Sequence, residues 1–264
     1  MRNGFMKGRA MLSSCIVQRI VWAAVLVLGL GAGERAEAVS IVGGSSLLDG
    51  AAATQLETWL GQGSLTLTNI FTNPSGGSQT SLDFHAAVDG MGPTLSVFEV
   101  LATQGNAYQI IGGYNPQSWD SSNSYHMTPN LADRTAFLFN LTTLTRQTQN
   151  LDGSGQYQTL NATAYGPVFG GGGSFYNLAV GNEAAYVDNL FLNLGIISTG
   201  SYGGSLTNIL GNSGFGSTVL FDVGRMEIFT VAPVPVPAAV ILFGTGVIGL
   251  VGVARRRATR QPMA

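Results

Sequence analysis

The fold is decided by residues 94–111, which read TLSVFEVLATQGNAYQII. Two runs in this stretch, Thr94–Val100 and Tyr108–Ile111, are rich in β-branched and aromatic residues and therefore predict strands. Between them Gln104-Gly105-Asn106 has the composition of a turn. Two strands joined by a short turn indicate an antiparallel β-domain.

The same pattern of short apolar strands and Gly-rich turns continues on both sides. Further strands are predicted at Leu65–Phe71, Ala136–Leu141, Tyr176–Val180, Asn189–Asn193, Thr218–Val223 and Met226–Val231. Helices are predicted at Ala51–Leu60 and Ser81–Val88, and a helical turn at Ser205–Leu210. Residues 115–133 and 149–160 are expected to be polar loops or turns. The sequence thus predicts a mainly β fold, a two-sheet antiparallel β-sandwich with peripheral helices, over residues 39–232.

Several short motifs follow one another along this domain. They read Leu56-Glu-Thr-Trp-Leu-Gly61, Asp83-Phe-His85, Gly92-Pro-Thr-Leu-Ser-Val97, Ile111-Gly-Gly-Tyr114 followed by Trp119, Phe137-Leu-Phe139, Gly166-Pro-Val-Phe-Gly-Gly171 and Met226-Glu-Ile-Phe229. In this order, over about residues 47–231, the chain resembles TLDc domains. The resemblance implies the two-sheet sandwich and structural motif positions at Phe84, His85, Gly92, Pro93, Thr94, Gly112, Gly113, Trp119, Phe169, Gly170, Gly171 and Glu227. It implies no established enzyme, and the vacuolar proton pump linked to eukaryotic members is not a partner that an exported chain would meet.

The C-terminal residues 233–264 have the composition of a sorting signal. Val234, Pro235, Val236, Pro237 and Ala238 form a proline-rich motif, and the uncharged run Ala238–Ala254 precedes Arg255, Arg256 and Arg257. As a helix this run would span roughly 25 Å, which predicts a transmembrane helix with its arginines on the cytoplasmic side. The tail resembles the PEP-CTERM-type signals of the VPLPA subtype that exosortases recognise, with Val236 in place of the subtype's Leu.

The N-terminal residues 1–38 predict a secretory signal peptide. An apolar run, Ile20–Gly33, follows basic residues and leads to Ala36-Glu37-Ala38, so we expect signal peptidase to cleave between Ala38 and Val39. Cys15, the one cysteine of the chain, would be removed with this segment. The mature chain would therefore form no disulfide and carry out no thiol redox chemistry.

The charge of the domain limits its partners. Residues 39–232 contain twelve Asp and Glu against three arginines, Arg134, Arg146 and Arg225, and no lysine, which gives a net charge near −9. This balance argues against binding to nucleic acid and to anionic membrane surfaces.

Candidate reactive groups are few, since His85 and His126 are the only histidines. A triad could be drawn from Ser81 or Ser96, His85 and Asp89, but no Gly-x-Ser-x-Gly elbow supports it. The stretch Asn150–Gly155 resembles the start of a calcium loop, yet Asn161 stands where that loop needs a bidentate Glu. We predict no catalytic residue, no metal site and no cofactor.

The aromatic residues Tyr114, Trp119 and Tyr125 suggest two alternatives. They could cluster on an exposed loop, where aromatic faces would hold sugar rings. They could instead be buried at the edge of the sandwich, which is the commoner arrangement.

Together these observations predict an exported, non-enzymatic protein of the cell envelope or extracellular matrix. Its expected partners are signal peptidase, an exosortase, exopolysaccharide and, transiently as a precursor, the inner membrane. The alternative is a periplasmic or surface factor that protects against oxidative stress, or a hydrolase, using His85 and nearby acids.

Overall fold

A computed structural model describes residues 39–103, 105–172, 176–181, 191–204, 207–212 and 218–234. Its helices are α1 (Gly50–Leu60) and α2 (Ser81–Val88), with short 3-10 turns at Leu131–Asp133 and Gly153–Gln156. Its strands are β1 (Ser40–Val42), β2 (Leu65–Asn73), β3 (Thr94–Val100), β4 (Gln109–Asn115), β5 (Ser124–Met127), β6 (Phe137–Asn140), β7 (Thr145–Thr148), β8 (Tyr157–Asn161), β9 (Tyr165–Phe169), β10 (Leu178–Gly181), β11 (Leu194–Ile197) and β12 (Val219–Pro233). None of the helices in these ranges combines the length and apolarity needed to cross a bilayer. The predicted signal peptide and the predicted transmembrane helix with Arg255–Arg257 lie outside the described residues.

Both helices form where the sequence predicts them, and local capping explains their limits. The Asp49 side chain accepts a hydrogen bond from the Ala52 backbone N–H, and α1 ends at Gly61, whose φ of 65° is left-handed. Thr80 and Asp83 form a reciprocal capping box at the start of α2. Because residues 81–88 are helical, Asp83 and His85 point to different sides of the helix.

The strands form one hydrogen-bonded sheet, in the order β5-β8-β9-β10-β11-β12-β3-β4-β6-β7. Neighbouring strands on this path are antiparallel; β2 also pairs with β12, and β1 lies parallel to β2. The prediction of two separate sheets is therefore wrong in its strand pairing.

The long strand β12 is the reason that the strands form one sheet instead of two. Its first residues, 219–222, pair with β11, whereas residues 223–230 pair with β3 and residues 226–233 with β2. The register shifts between Val223 and Met226 and again between Ile228 and Phe229. The two strands predicted at Thr218–Val223 and Met226–Val231 are thus one irregular strand, which joins both halves of the sheet.

Other differences from the prediction lie in the polar segments. The expected loop 115–133 contains β5, and the expected excursion 149–160 leads into the buried strand β8. Strands β1, β7 and β9 were not predicted. Of the strand predicted near Asn189–Asn193, residues 189 and 190 lie outside the described residues, and residues 191–193 precede β11, which starts at Leu194. Of the helical turn predicted at Ser205–Leu210, residues 205 and 206 lie outside the described residues, and residues 207–210 are not helical.

Side chains from both halves of the sheet share the main core. A series of edge-to-face aromatic contacts runs from Phe71 through Phe84, Trp119 and Phe169 to Tyr202, with centroid separations of 5.5–6.5 Å. These rings come from β2, α2, β9 and two connecting segments. Such contacts add to the free energy gained from burying the rings and link the elements into one core.

A second core cluster lies where α1 packs on the sheet. It contains Leu48, Ala53, Leu56, Leu65, Leu67, Leu95, Val97, Tyr114, Phe137, Phe139, Phe229 and Val231. This cluster packs α1 against β2, β3, β4, β6 and β12.

The two ends of the domain leave the sheet close together. Ser40 of β1 and Ala232 of β12 both pair with Thr66, on opposite sides of β2. The Val234 N–H then donates to the Ser64 carbonyl over 2.8 Å. The residue after the predicted signal cleavage and the first residue of the proline-rich motif therefore adjoin the same end of β2.

Candidate functional site

Most of the predicted motif residues belong to the core. Trp119 is fully buried, its Nε1 donates to Thr94 Oγ1 over 2.8 Å, and its ring packs against Phe84 and Phe169. A Cβ on Gly113 would lie 2.5 Å from the Phe169 ring, so only glycine allows this approach. These residues build the fold and expose no reactive group.

The glycine corner after β9 has the same explanation. Gly170 and Gly171 have φ angles of 79° and 145°, and the Tyr125 ring lies where a side chain on Gly171 would go. A Cβ on Gly112 would likewise collide with the Phe139 ring. The Gly-rich corner is therefore a packing feature.

The loop before β3 serves to connect elements. Gly92 has a φ of 81°, which is left-handed, and its N–H donates to Ser118 Oγ. The Pro93 carbonyl accepts from the Val231 N–H over 3.1 Å. This loop is thereby tied both to the segment before Trp119 and to β12.

His85 links α2 to the turn between β8 and β9. Its side chain is 6 % exposed; Nδ1 lies 2.7 Å from Asp89 Oδ1, and Nε2 lies 3.1 Å from the carbonyl oxygens of Ala162 and Tyr165. Both ring nitrogens therefore have polar partners within hydrogen-bond distance, one at the end of α2 and two in the turn between β8 and β9.

The imagined triad is not assembled. Ser81 Oγ donates to the Thr163 carbonyl over 2.7 Å, and Ser96 Oγ is buried without a hydrogen-bond partner. Asp89 Oδ2 accepts from Ser121 instead of facing a nucleophile. The residues Ser81, Ser96, His85 and Asp89 therefore do not form a relay.

The segment resembling a calcium loop is a hydrogen-bonded turn. Asp152 Oδ1 accepts from both the N–H and the hydroxyl of Ser154. The Ser154 side chain, followed by its backbone N–H, holds the pKa of the Asp152 carboxyl below its ordinary value. The carboxylate is thus used locally to start a 3-10 turn.

Glu227 has a separate structural contact. It is 1 % exposed on β12 and accepts from Ser45 Oγ over 2.5 Å and from the Ser46 N–H over 2.9 Å. The carboxylate thereby fastens the segment before α1 to the central strand.

The three aromatic residues expected around a loop do not form one cluster. Trp119 is in the main core, and Tyr125 packs against Tyr157 with centroids 5.3 Å apart. Tyr114 lies elsewhere, against Phe137 in the second cluster. Burial of Trp119 follows the commoner alternative; Tyr114, however, borders an open groove.

This groove, which we call the arginine groove, is the best candidate for a binding site among the described residues. It encloses about 440 Å³, within the range of roughly 300–1,000 Å³ typical of small-molecule sites. It is lined by Trp59, Leu60, Gln62, Tyr114, Pro116, Arg134, Thr135, Ala136, Phe137, Arg146 and Thr148. The lining contains two of the three arginines of residues 39–232 and no Asp or Glu.

Aromatic side chains form much of the groove. Tyr114 and Phe137 pack with centroids 5.3 Å apart, and Trp59, at the end of α1, lies 6.3 Å from Phe139. Gln62 Nε2 lies 3.4 Å from the Tyr114 hydroxyl. Burial raises the pKa of Tyr114, and the Gln62 contact opposes this effect. The hydroxyl is thus kept protonated at neutral pH and can donate.

The two arginines are held differently. Arg134 donates to the backbone carbonyls of Thr128, Pro129, Asn150 and Asp152. Arg146 donates to the Trp59 carbonyl over 2.7 Å, and its guanidinium carbon lies 5.5 Å from the centre of the Phe137 ring. Within the described part of the chain, a cation–π contact and one hydrogen bond orient Arg146 at the groove wall.

Sequence reasoning did not identify this groove. Its residues come from four distant segments, 59–62, 114–116, 134–137 and 146–148. The sequence does give one indication of the groove: Arg134 and Arg146 are two of only three basic residues in an acidic domain.

Comparison with known proteins gives one family. The family model of the TLDc domain matches residues 41–232, which is most of the chain and overlaps every element described above. Comparison with curated proteins gives no significant match.

Proposed function

Because this chain belongs to the TLDc family, we propose that its domain is a non-enzymatic binding module whose arginine groove holds a segment of polysaccharide in the cell envelope or extracellular matrix. The observation that carries this proposal is the groove itself. Aromatic faces can pack against the apolar faces of sugar rings, and the Gln62 amide and Tyr114 hydroxyl can hydrogen-bond sugar hydroxyls.

The absence of catalysis is part of the proposal. His85 is buried with both ring nitrogens engaged, and its neighbour Asp89 is committed to Ser121. An oxidative-stress factor or hydrolase built on His85 would need this network to open. The geometry therefore favours the binding role over that alternative.

We further propose that signal peptidase and an exosortase process the chain. The support is the N-terminal segment ending at Ala38, the motif Val234–Ala238 and the basic residues Arg255–Arg257. In this proposal the precursor is held in the inner membrane, and the processed domain passes to the envelope or matrix, where it associates with exopolysaccharide. Among the described residues, β1 begins at Ser40 and the Val234 N–H donates to the Ser64 carbonyl, so the two proposed cleavage sites would adjoin the described ends of the domain.

Intact-mass analysis of the protein from membrane, outer-envelope and medium fractions tests this route. We expect a chain that starts at Val39 and ends near Val234–Pro237, found outside the inner membrane. A chain that retains Arg255–Arg257 and stays in the inner membrane would make the tail a plain anchor and overturn the sorting proposal.

Binding is tested with the full-length chain in mild detergent and exopolysaccharide purified from the producing cells. We expect Gln62→Ala to weaken binding by roughly three- to tenfold, as loss of a hydrogen bond of about 1 kcal/mol predicts. Gln117→Ala is the matched control, because Gln117 is also exposed but lies outside the groove lining. Equal binding by both variants, or no binding by the wild type, would contradict a role of the groove in holding polysaccharide.

A further inference from the structure

We propose that the arginine groove selects an anionic saccharide, with the carboxylate of a hexuronate residue on Arg146 and the sugar ring against Trp59. This inference rests on the proposed function, because it assigns a ligand class to the groove already assigned to polysaccharide.

The charge distribution makes the groove exceptional within the domain. Residues 39–232 carry a net charge near −9, yet two of their three arginines line this groove and none of its lining residues is acidic. At physiological salt, charges farther away than about 8 Å are largely screened. The Asp152 carboxylate interacts electrostatically with Arg134, so an anionic ligand in the groove would respond mainly to the positive charge of Arg146.

Arg134 supplies charge but few donors. Its guanidinium donates to four backbone carbonyls, those of Thr128, Pro129, Asn150 and Asp152. These bonds fix the segment around the adjacent 3-10 turns. We assign Arg134 a structural role with an electrostatic effect on the groove.

Arg146 is the group that can bind a carboxylate directly. Its contact with the Trp59 carbonyl uses one of the five N–H donors of a guanidinium. Among the described residues, no Asp or Glu forms an ion pair with Arg146. A planar guanidinium with unused donors binds a carboxylate through two parallel hydrogen bonds.

The position of Arg146 also couples charge to ring recognition. The same Trp59 whose carbonyl accepts from Arg146 presents its half-buried indole to the groove. A uronate carboxylate is attached directly to its sugar ring, so one residue can reach both groups. This pairing distinguishes a uronate from a neutral sugar.

The lining favours a saccharide over other polyanions. Nucleic-acid binding depends on neutralising several phosphates in a row, whereas the groove lining supplies only two arginines. The groove also offers Gln62 and Thr148, neutral groups suited to hydroxyls. An acidic peptide would use the arginine but would leave these groups and the aromatic surface poorly matched.

The test uses the full-length chain in mild detergent and calorimetric titration with trigalacturonate and trimannuronate, each compared with its methyl ester. Esterification keeps the sugar and removes the charge. We expect at least one acid to bind about tenfold or more tightly than its ester, as loss of a charge-assisted hydrogen bond predicts.

Variants assign this preference to Arg146. Arg146→Gln should abolish the difference between acid and ester, whereas Arg225→Gln, the same change on β12 outside the groove, should keep it. Arg146→Lys retains the charge and should keep part of the preference. If Arg146→Gln lowers the melting temperature markedly, Arg146→Lys decides the question, because a lysine that kept the whole preference would contradict bidentate binding.

The outcomes separate the two proposals. If acid and ester bind equally and Gln62→Ala weakens both, the groove holds sugars and the charge inference is wrong. If neither form of either sugar binds while the exopolysaccharide does, the uronate inference is wrong and the proposed function stands. If a polyglutamate of equal charge binds as tightly as the better acid, the groove recognises acidic chains generally, and the saccharide assignment fails.

Discussion

The Nδ1 atom of His85 lies 2.7 Å from the Oδ1 atom of Asp89, which caps the C-terminal end of α2. The opposite ring nitrogen contacts two carbonyl oxygens of the turn between β8 and β9. The imidazole therefore bridges a helix end and a β-turn, and both of its nitrogens take part in contacts that connect these two elements.

His85→Ala is expected to lower the free energy of unfolding by about 1–3 kcal/mol, because Asp89 and the carbonyls of Ala162 and Tyr165 lose the imidazole as a hydrogen-bond partner. Urea unfolding measures this change. Leu82→Ala, at a 53 % exposed position of the same helix, is the control and should have little effect. Loss of a cellular activity in His85→Ala with an unchanged melting temperature would instead favour the enzymatic alternative.

Gly113→Ala is expected to destabilise the domain by about 1–3 kcal/mol, since the new methyl group would collide with the Phe169 ring. The matched control is Gly50→Ala at the first residue of α1, where nothing lies within 4 Å. That change should be neutral or slightly stabilising. Similar melting temperatures for the two variants would show that β4 and β9 do not approach as closely as described.

The bond between Trp119 and Thr94 can be isolated with a double-mutant cycle. Thr94→Val leaves the buried indole N–H without its acceptor and should cost about 1–3 kcal/mol. In a Trp119→Phe background the same change should cost clearly less, because the donor is already gone. Strictly additive costs would mean that the hydrogen bond contributes nothing to stability.

The capping box of α2 predicts a pH dependence. The backbone N–H and then the hydroxyl of Thr80 lower the pKa of the Asp83 carboxyl from its ordinary value of 3.8. A carboxyl with a lowered folded-state pKa stabilises fully above its unfolded-state pKa, and this stabilisation is lost as the pH falls through the folded-state pKa.

Asp83→Asn should therefore reduce stability at neutral pH, and its difference from the wild type should shrink below about pH 4. Urea unfolding midpoints across the acid range measure this trend. Asp133→Asn, outside α2, controls for the general effect of removing one acid. A difference that stays constant down to the lowest pH would exclude the cap as its cause.

The elements that could be predicted are those in which the buried positions carry apolar residues and the exposed positions carry polar ones. Leu65–Asn73 alternates buried and less buried residues, and α1 and α2 have caps visible in the sequence. Strand β8 escaped prediction because it buries Gln158, Thr159 and Asn161, polar residues that resemble a loop. Only tertiary contacts, such as Gln158 to Asn115 over 3.0 Å, show why they are inside.

The single sheet and the groove could not be predicted for a related reason. Gly224 and Arg225 interrupt the apolar pattern of residues 218–231, although the backbone continues as one strand. The groove depends on Arg146 meeting the carbonyl of Trp59, a residue 87 positions earlier in the chain. Local sequence patterns contain no information about a tertiary contact between residues so far apart in the chain.

Ser40 and Ala232 stand opposite the same residue, Thr66, one on each side of β2. Two strand spacings put these ends about 10 Å apart. The domain is therefore suited to circular permutation: a short linker could join its two ends, and new termini could be opened at an exposed turn elsewhere. For the same reason, the domain could be inserted into a loop of another protein without forcing the two ends of that loop apart.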